Sequence, residues 1–179
     1  MNYHNITKDD MLNGEGLRTV FWLSGCSHHC KNCQNPITWD PINGVPFDLA
    51  AKEELFGYLD KEYCSGLTLS GGDPLYFDNW VEVLDLVREF RRRYKDTKTI
   101  WLYTGYEMRD IKNNPILKYV DVVVDGKFIE SQKNTKRLWC GSDNQIIWRR
   151  REDRWIPDPK EYDVSLNELE AKGACCEDG

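Results

Sequence analysis

At 179 residues the chain has room for one domain with a sizeable core, and 40% hydrophobic with 30% charged residues is the make-up of an ordinary globular protein. A formal charge of −6 argues against nucleic acid, which draws a basic domain. No apolar run approaches the roughly 18 residues of a membrane span, and the opening MNYHNITKDD is too polar for a secretory signal, so no membrane contact and a cytoplasmic location are expected. In chain order, LRTVFWLS (17–24) is a β-branched and aromatic run suited to a strand buried on both faces. DLAAKEELFGYLDKEY (48–63) reads as a helix, with Asp48 as N-cap. GLTLS (66–70) is a second strand. NWVEVLDLVREFRRRY (79–94) is the clearest helix, with Trp80, Val81, Leu84, Val87 and Phe90 as one stripe and Asn79 with Glu82 as a capping box. TIWLYTG (99–105) is a third strand, a short helix covers about 107–112, and YVDVVVDG (119–126) is a fourth strand.

Strands separated by helices of this length imply right-handed crossovers and a mostly parallel α/β sheet. From Trp148 onward the chain is charged, carries two prolines and ends in small polar residues. The expected division is therefore a domain over 1–147 and a C-terminal extension over 148–179 with a mobile tip. The basic runs RRRYK and RRRE read as solvated faces.

In a parallel sheet, ligands bind beyond the carboxyl ends of the strands. Four unusual loops leave those ends: WLSGCSHHCKNCQNPITW, SGGDP, YTGY and DGKF. The first holds Cys26, Cys30 and Cys33. In a reducing compartment seven cysteines point to metal or redox chemistry rather than disulfides. Structural zinc takes four ligands, usually in two pairs. Here there is one C-x3-C-x2-C triplet, with His28, His29, Cys64 or Cys140 as conceivable fourth ligands. An iron–sulfur cube with three cysteines and one open iron fits the triplet better. Two adjacent glycines in SGGDP permit a close main-chain approach to a ligand, although Gly-Gly-Asp-Pro is also good turn chemistry. His28 and His29 either tune a cluster or face solvent, and Asn144 with Gln145 either contact a partner or cofactor or form a polar turn.

These motifs resemble the radical S-adenosylmethionine enzymes. NGEGLRTVFWLSGCSHHCKNCQNPITW, LSGGDP, YTGY, VDVVVDGKF and GSDNQ stand in the order seen in the glycyl-radical activases of anaerobic ribonucleoside-triphosphate reductase. The resemblance implies a small, incomplete βα barrel of the radical S-adenosylmethionine type. It implies one [4Fe–4S] cluster on Cys26, Cys30 and Cys33, and S-adenosylmethionine contacted by Asn32, Cys33, Gln34, Gly71 and Gly72. No catalytic residue is expected beyond these ligands. The implied activity is reductive cleavage of S-adenosylmethionine to place a glycyl radical on the large subunit of the reductase, with electrons from a low-potential donor such as reduced flavodoxin. A radical enzyme for another glycyl-radical protein or a small heterocycle, and a zinc-binding module, are the alternatives. Three features depart from the family pattern: Glu15 where a proline is usual, Asp73 where glutamate is common, and Cys140 where an arginine usually precedes G-S-x-N-Q.

Overall fold

A computed structural model describes residues 1–158. One eight-stranded sheet runs in the order β3-β1-β2-β4-β5-β6-β7-β8. Its strands are β1 (Asn2–Asp10), β2 (Arg18–Leu23), β3 (Val45–Pro46), β4 (Gly66–Gly71), β5 (Thr99–Tyr103), β6 (Val122–Asp125), β7 (Ile146–Arg151) and β8 (Arg154–Pro157). The four strands read from sequence form its centre, with β2–β4, β4–β5 and β5–β6 paired in parallel. The sheet as a whole is mixed rather than mostly parallel. β1 pairs antiparallel with β2 and β3, and β6–β7–β8 continue antiparallel on the other side. The added strands escape a reading by hydrophobic pattern because they lie toward the edges. NYHNITKDD and RRR keep the polar, charged surface that discourages edge-to-edge pairing. β7 spans positions 146–151, so the residues to Asp158 continue the sheet. The end of the expected extension, with Cys175 and Cys176, lies outside the described residues.

Register sorts the side chains onto two faces, since alternate residues of a strand point oppositely. Phe21, Leu69, Leu102, Val123 and Trp148 are cross-strand neighbours in one row. That face packs on helices α1 (Leu49–Leu59), α2 (Trp80–Tyr94) and α3 (Met108–Ile111), through Leu55, Phe56, Leu59, Val83, Leu86, Val87, Phe90 and Ile111. On the opposite face the row is Val20, Thr68, Trp101, Val122 and Arg149. No helix covers it. Trp101, Val122, Val124, Cys140 and Ile147 form a smaller second core there, with Trp139 packed edge-on against Trp101 at 5.1 Å.

The Asp48 cap holds: its side chain accepts a hydrogen bond from the Ala51 N–H at 2.9 Å. The capping box on α2 does not. Asn79 has helical dihedrals and makes no side-chain cap. Its amide instead donates to the Ser24 carbonyl at 2.5 Å, while Glu82 accepts from the chain's terminal ammonium. Trp80 and Val81 do not join the buried stripe of α2. They are exposed, because the helix turns Val83, Leu84, Leu86, Val87 and Phe90 to the sheet. No helix among the described residues is long and apolar enough to cross a membrane.

Candidate metal and cofactor site

The cysteine loop leaves the carboxyl end of β2 and folds back on itself. Gly25 N donates to the Thr38 carbonyl at 2.8 Å and Cys26 N to the Trp39 carbonyl at 3.0 Å, while Cys33 N closes a turn on the Cys30 carbonyl at 3.1 Å. The three thiols are half-buried and in no disulfide. Each has a main-chain N–H directed at it: from His28 and His29 for Cys26, from Phe128 for Cys30, and from Asn35 at 3.4 Å for Cys33. Burial pushes the Cys26 thiol up to about 11 and the Cys30 thiol up as well, and these N–H groups oppose that shift by favouring thiolate. Soft thiols with N–H donors on their sulfurs are the setting an iron–sulfur cluster uses. Among the described residues no three His, Cys, Asp or Glu side chains converge closely enough to hold a single metal ion.

Four loops meet here. Gly72 N donates to the Leu23 carbonyl and Asp73 N to the Gly25 carbonyl, both at 2.8 Å, stitching the glycine loop to the cysteine loop. The glycines are needed for that packing. Gly71 has φ +98° and a Cβ on it would meet the Leu23 main chain at 2.6 Å, and a Cβ on Gly72 would lie 2.4 Å from the Gly25 carbonyl oxygen. Asp73 is buried and accepts from Leu75 N, Thr104 Oγ1, Gly105 N and His28 Nε2 at 2.7–3.0 Å. It joins the loops after β2, β4 and β5. The loop after β6 is held by GSDNQ. Gln145 Nε2 donates to the Gly126 carbonyl at 2.9 Å and Asn144 Nδ2 to the Lys127 carbonyl at 2.8 Å. This clip seats Phe128, whose N–H faces Cys30.

Of the expected ligand contacts, Cys33 and Gln34 line a cavity of about 470 Å³ on the helix-free face, together with Trp22, Ser70, Tyr103 and Gln145. Asn32, Gly71 and Gly72 lie outside that lining. The Asn32 amide donates to Glu130, and Lys31 pairs with the same carboxylate at 3.2 Å. Cys30 borders a second cavity and Cys26 a third. Cys64 is buried just before β4, its thiol 3.6 Å from Thr19 Oγ1 and from the Gly66 carbonyl. Cys140 is buried in the second core and also borders the cavity of Cys33. The His28–Asp73–Thr104–Gly105 network is absent from the sequence reading. No local signal pairs them, since His28 and Asp73 stand 45 positions apart.

Residues 12–148 match the family described as a 4Fe-4S single cluster domain. The anaerobic ribonucleoside-triphosphate reductase-activating protein of Enterobacteria phage T4 is 46% identical over 158 residues, covering 88% of this chain and 100% of that protein. The proteins of that name from Haemophilus influenzae and Escherichia coli strain K12 are 40% and 36% identical, each over 82% or more of this chain and 97% or more of their own length.

Proposed function

Since the chain belongs to the anaerobic ribonucleoside-triphosphate reductase-activating proteins, a family with a 4Fe-4S domain, we propose that it is a radical S-adenosylmethionine activase built on a partial βα barrel. The observation that carries this reading is the loop after β2, where three half-buried thiols each face a main-chain N–H. In this reading Cys26, Cys30 and Cys33 hold one cluster. Cys33 and Gln34 face S-adenosylmethionine from the cavity lining, and Asn32, Gly71 and Gly72 shape the loops around it. When bound on these three thiols, the cluster would supply the electron for reductive cleavage of S-adenosylmethionine, the chemistry that would place a glycyl radical on the reductase.

The chain's own residues position and shield. Gly71 and Gly72 let the second loop lie against the first without a side chain between them. Among the described residues no helix lies over the cavity beside Trp22, Tyr103 and Arg137. A glycine-bearing loop of the reductase's large subunit enters there and completes the exclusion of water that a carbon radical needs. A low-potential donor such as reduced flavodoxin supplies the electron, and the protein works in the cytoplasm, where thiols stay reduced.

The test is anaerobic mixing of the reconstituted protein, a reductant, S-adenosylmethionine and the reductase, followed by paramagnetic resonance. A glycyl doublet on the large subunit is expected, lost when its acceptor glycine becomes alanine. A silent large subunit, with fast turnover of a small heterocycle by this protein alone, would overturn the activase reading. Zinc without iron after anaerobic purification would overturn the cluster.

A further inference from the structure

We propose that His28 is a positioning residue, whose hydrogen bond to Asp73 holds the Cys26 end of the cysteine loop and keeps the His28 main-chain N–H on the Cys26 sulfur. The proposal rests on the cluster assignment above and goes beyond it by giving a role to a side chain that is no ligand.

The argument begins with the Asp73 carboxylate. Leu75 N lies 2.8 Å from Oδ1 and Gly105 N 2.9 Å from Oδ2, and both are obligatory donors. The Thr104 hydroxyl sits 3.0 and 2.9 Å from the two oxygens and accepts from Tyr106 N at 3.2 Å, so it donates to the carboxylate. His28 Nε2 is 2.7 Å from Oδ2. With both oxygens already receiving N–H and O–H donors, the carboxylate is placed as the acceptor toward His28 Nε2 as well.

The imidazole is enclosed on its other sides as well. It stands edge-on to Tyr106, centroids 4.6 Å apart, and a Cβ on Gly105 would fall 2.3 Å from His28 Cδ2. Gly105 is therefore glycine because the ring occupies the space of its side chain. The His28 side chain is 6% exposed although its loop lies at the molecular surface. The same residue gives its main-chain N–H to Cys26. Ring, backbone and sulfur form one chain of contacts from the loops after β4 and β5 to the thiol. Partners of this kind behind a metal ligand typically change metal affinity by roughly 10–100-fold when removed. Hydrogen bonds to the sulfurs also set cluster potentials.

The experiment uses the full chain, reconstituted anaerobically. His28→Phe keeps a ring against Tyr106 and removes the donor. His28→Gln keeps an N–H donor of similar reach. With His28→Phe the expected outcome is near-normal iron per chain, loss of iron to a chelator at least roughly tenfold faster, and a reduction potential and reduced-state resonance spectrum moved from wild type. The potential moves to more negative values, since a hydrogen bond that stabilises added electron density is weakened. His28→Gln returns both spectrum and potential toward wild type. Gly105→Ala, which displaces the ring without removing any polar group, moves them in the same direction as His28→Phe. A wild-type spectrum and potential in His28→Phe would overturn the proposal alone, as would a His28→Gln protein no closer to wild type than His28→Phe. A wild-type protein that assembles no four-iron cluster would overturn both the proposal and the reading beneath it.

Discussion

Arg18 shows what a single buried cation demands of its surroundings. It is fully buried at the start of β2, donating to Thr68 Oγ1, Thr99 Oγ1 and the carbonyls of Glu15, Leu67 and Thr99, with Trp101 stacked against it at 5.6 Å. Burial draws its pKa down to about 10, still cationic at neutral pH. Arg18→Met strands several buried acceptors and is expected to lower stability by at least about 3 kcal/mol in urea unfolding. Arg18→Lys should recover little, because an ammonium cannot fork to that many acceptors. The thiols make a separate prediction at this scale. Replacing Cys26, Cys30 or Cys33 by alanine should abolish four-iron loading, whereas Cys64→Ala and Cys140→Ala should retain it, by iron analysis. The three thiols were legible because they share a short loop after an evident strand. His28–Asp73 was not, because the two residues are 45 positions apart and nothing in either segment names the other.

At the scale of elements, α2 separates a cap from a brace. Asn79 precedes the helix as a capping residue would, and its amide instead reaches the Ser24 carbonyl beside the cysteine loop. The two roles predict opposite results for Asn79→Asp. Aspartate caps as well as asparagine, but a carboxylate facing the Ser24 carbonyl has no hydrogen to give. Asn79→Asp and Asn79→Ala are therefore both expected to cost about 1–3 kcal/mol, measured by denaturant unfolding. A stable Asn79→Asp protein would restore the cap. The central strands were readable from their apolar runs, and α1 from its Asp48 cap. Trp80 and Val81 misled because α2 buries Val83 and Leu86 in place of these two first-turn residues, and the amphipathic pattern alone does not say which flank is left in water.

For the whole molecule, the sheet's two ends are tied by Arg149. Its guanidinium bonds Asp158 at 2.7–2.9 Å and Glu15 at 2.6–3.1 Å, and packs 5.5 Å from the Trp101 ring. Glu15 thus has a partner 134 positions away. Glu15 is mostly exposed, so Glu15→Ala should cost no more than about 1 kcal/mol, with the difference shrinking in 1 M salt, as thermal unfolding at two ionic strengths would show. Shortening the chain to 1–147 is expected to do far more. It cuts β7 after two residues and removes β8, leaving β6 without its antiparallel partner. An exposed, apolar Val122–Val124 edge invites association, and gel filtration of that shortened protein should find aggregate rather than a folded monomer.

The order of the parallel strands, the helices between them and the placing of three cysteines at one strand's end were determined by the sequence itself. Each is written locally, in hydrophobic period, in capping chemistry or in spacing within a loop. Tertiary structure alone decided that β1, β3, β7 and β8 extend the sheet, since β1 is mainly polar, β7 runs from apolar into three arginines, and β3 and β8 are too short to show a period. It decided too that Asn79 braces a loop instead of a helix, that Gly72 is small to admit the Gly25 carbonyl, and that His28 is turned from solvent onto Asp73. In each case a donor, an acceptor or a space is met by a residue distant in the chain, and the folded backbone chooses which one arrives.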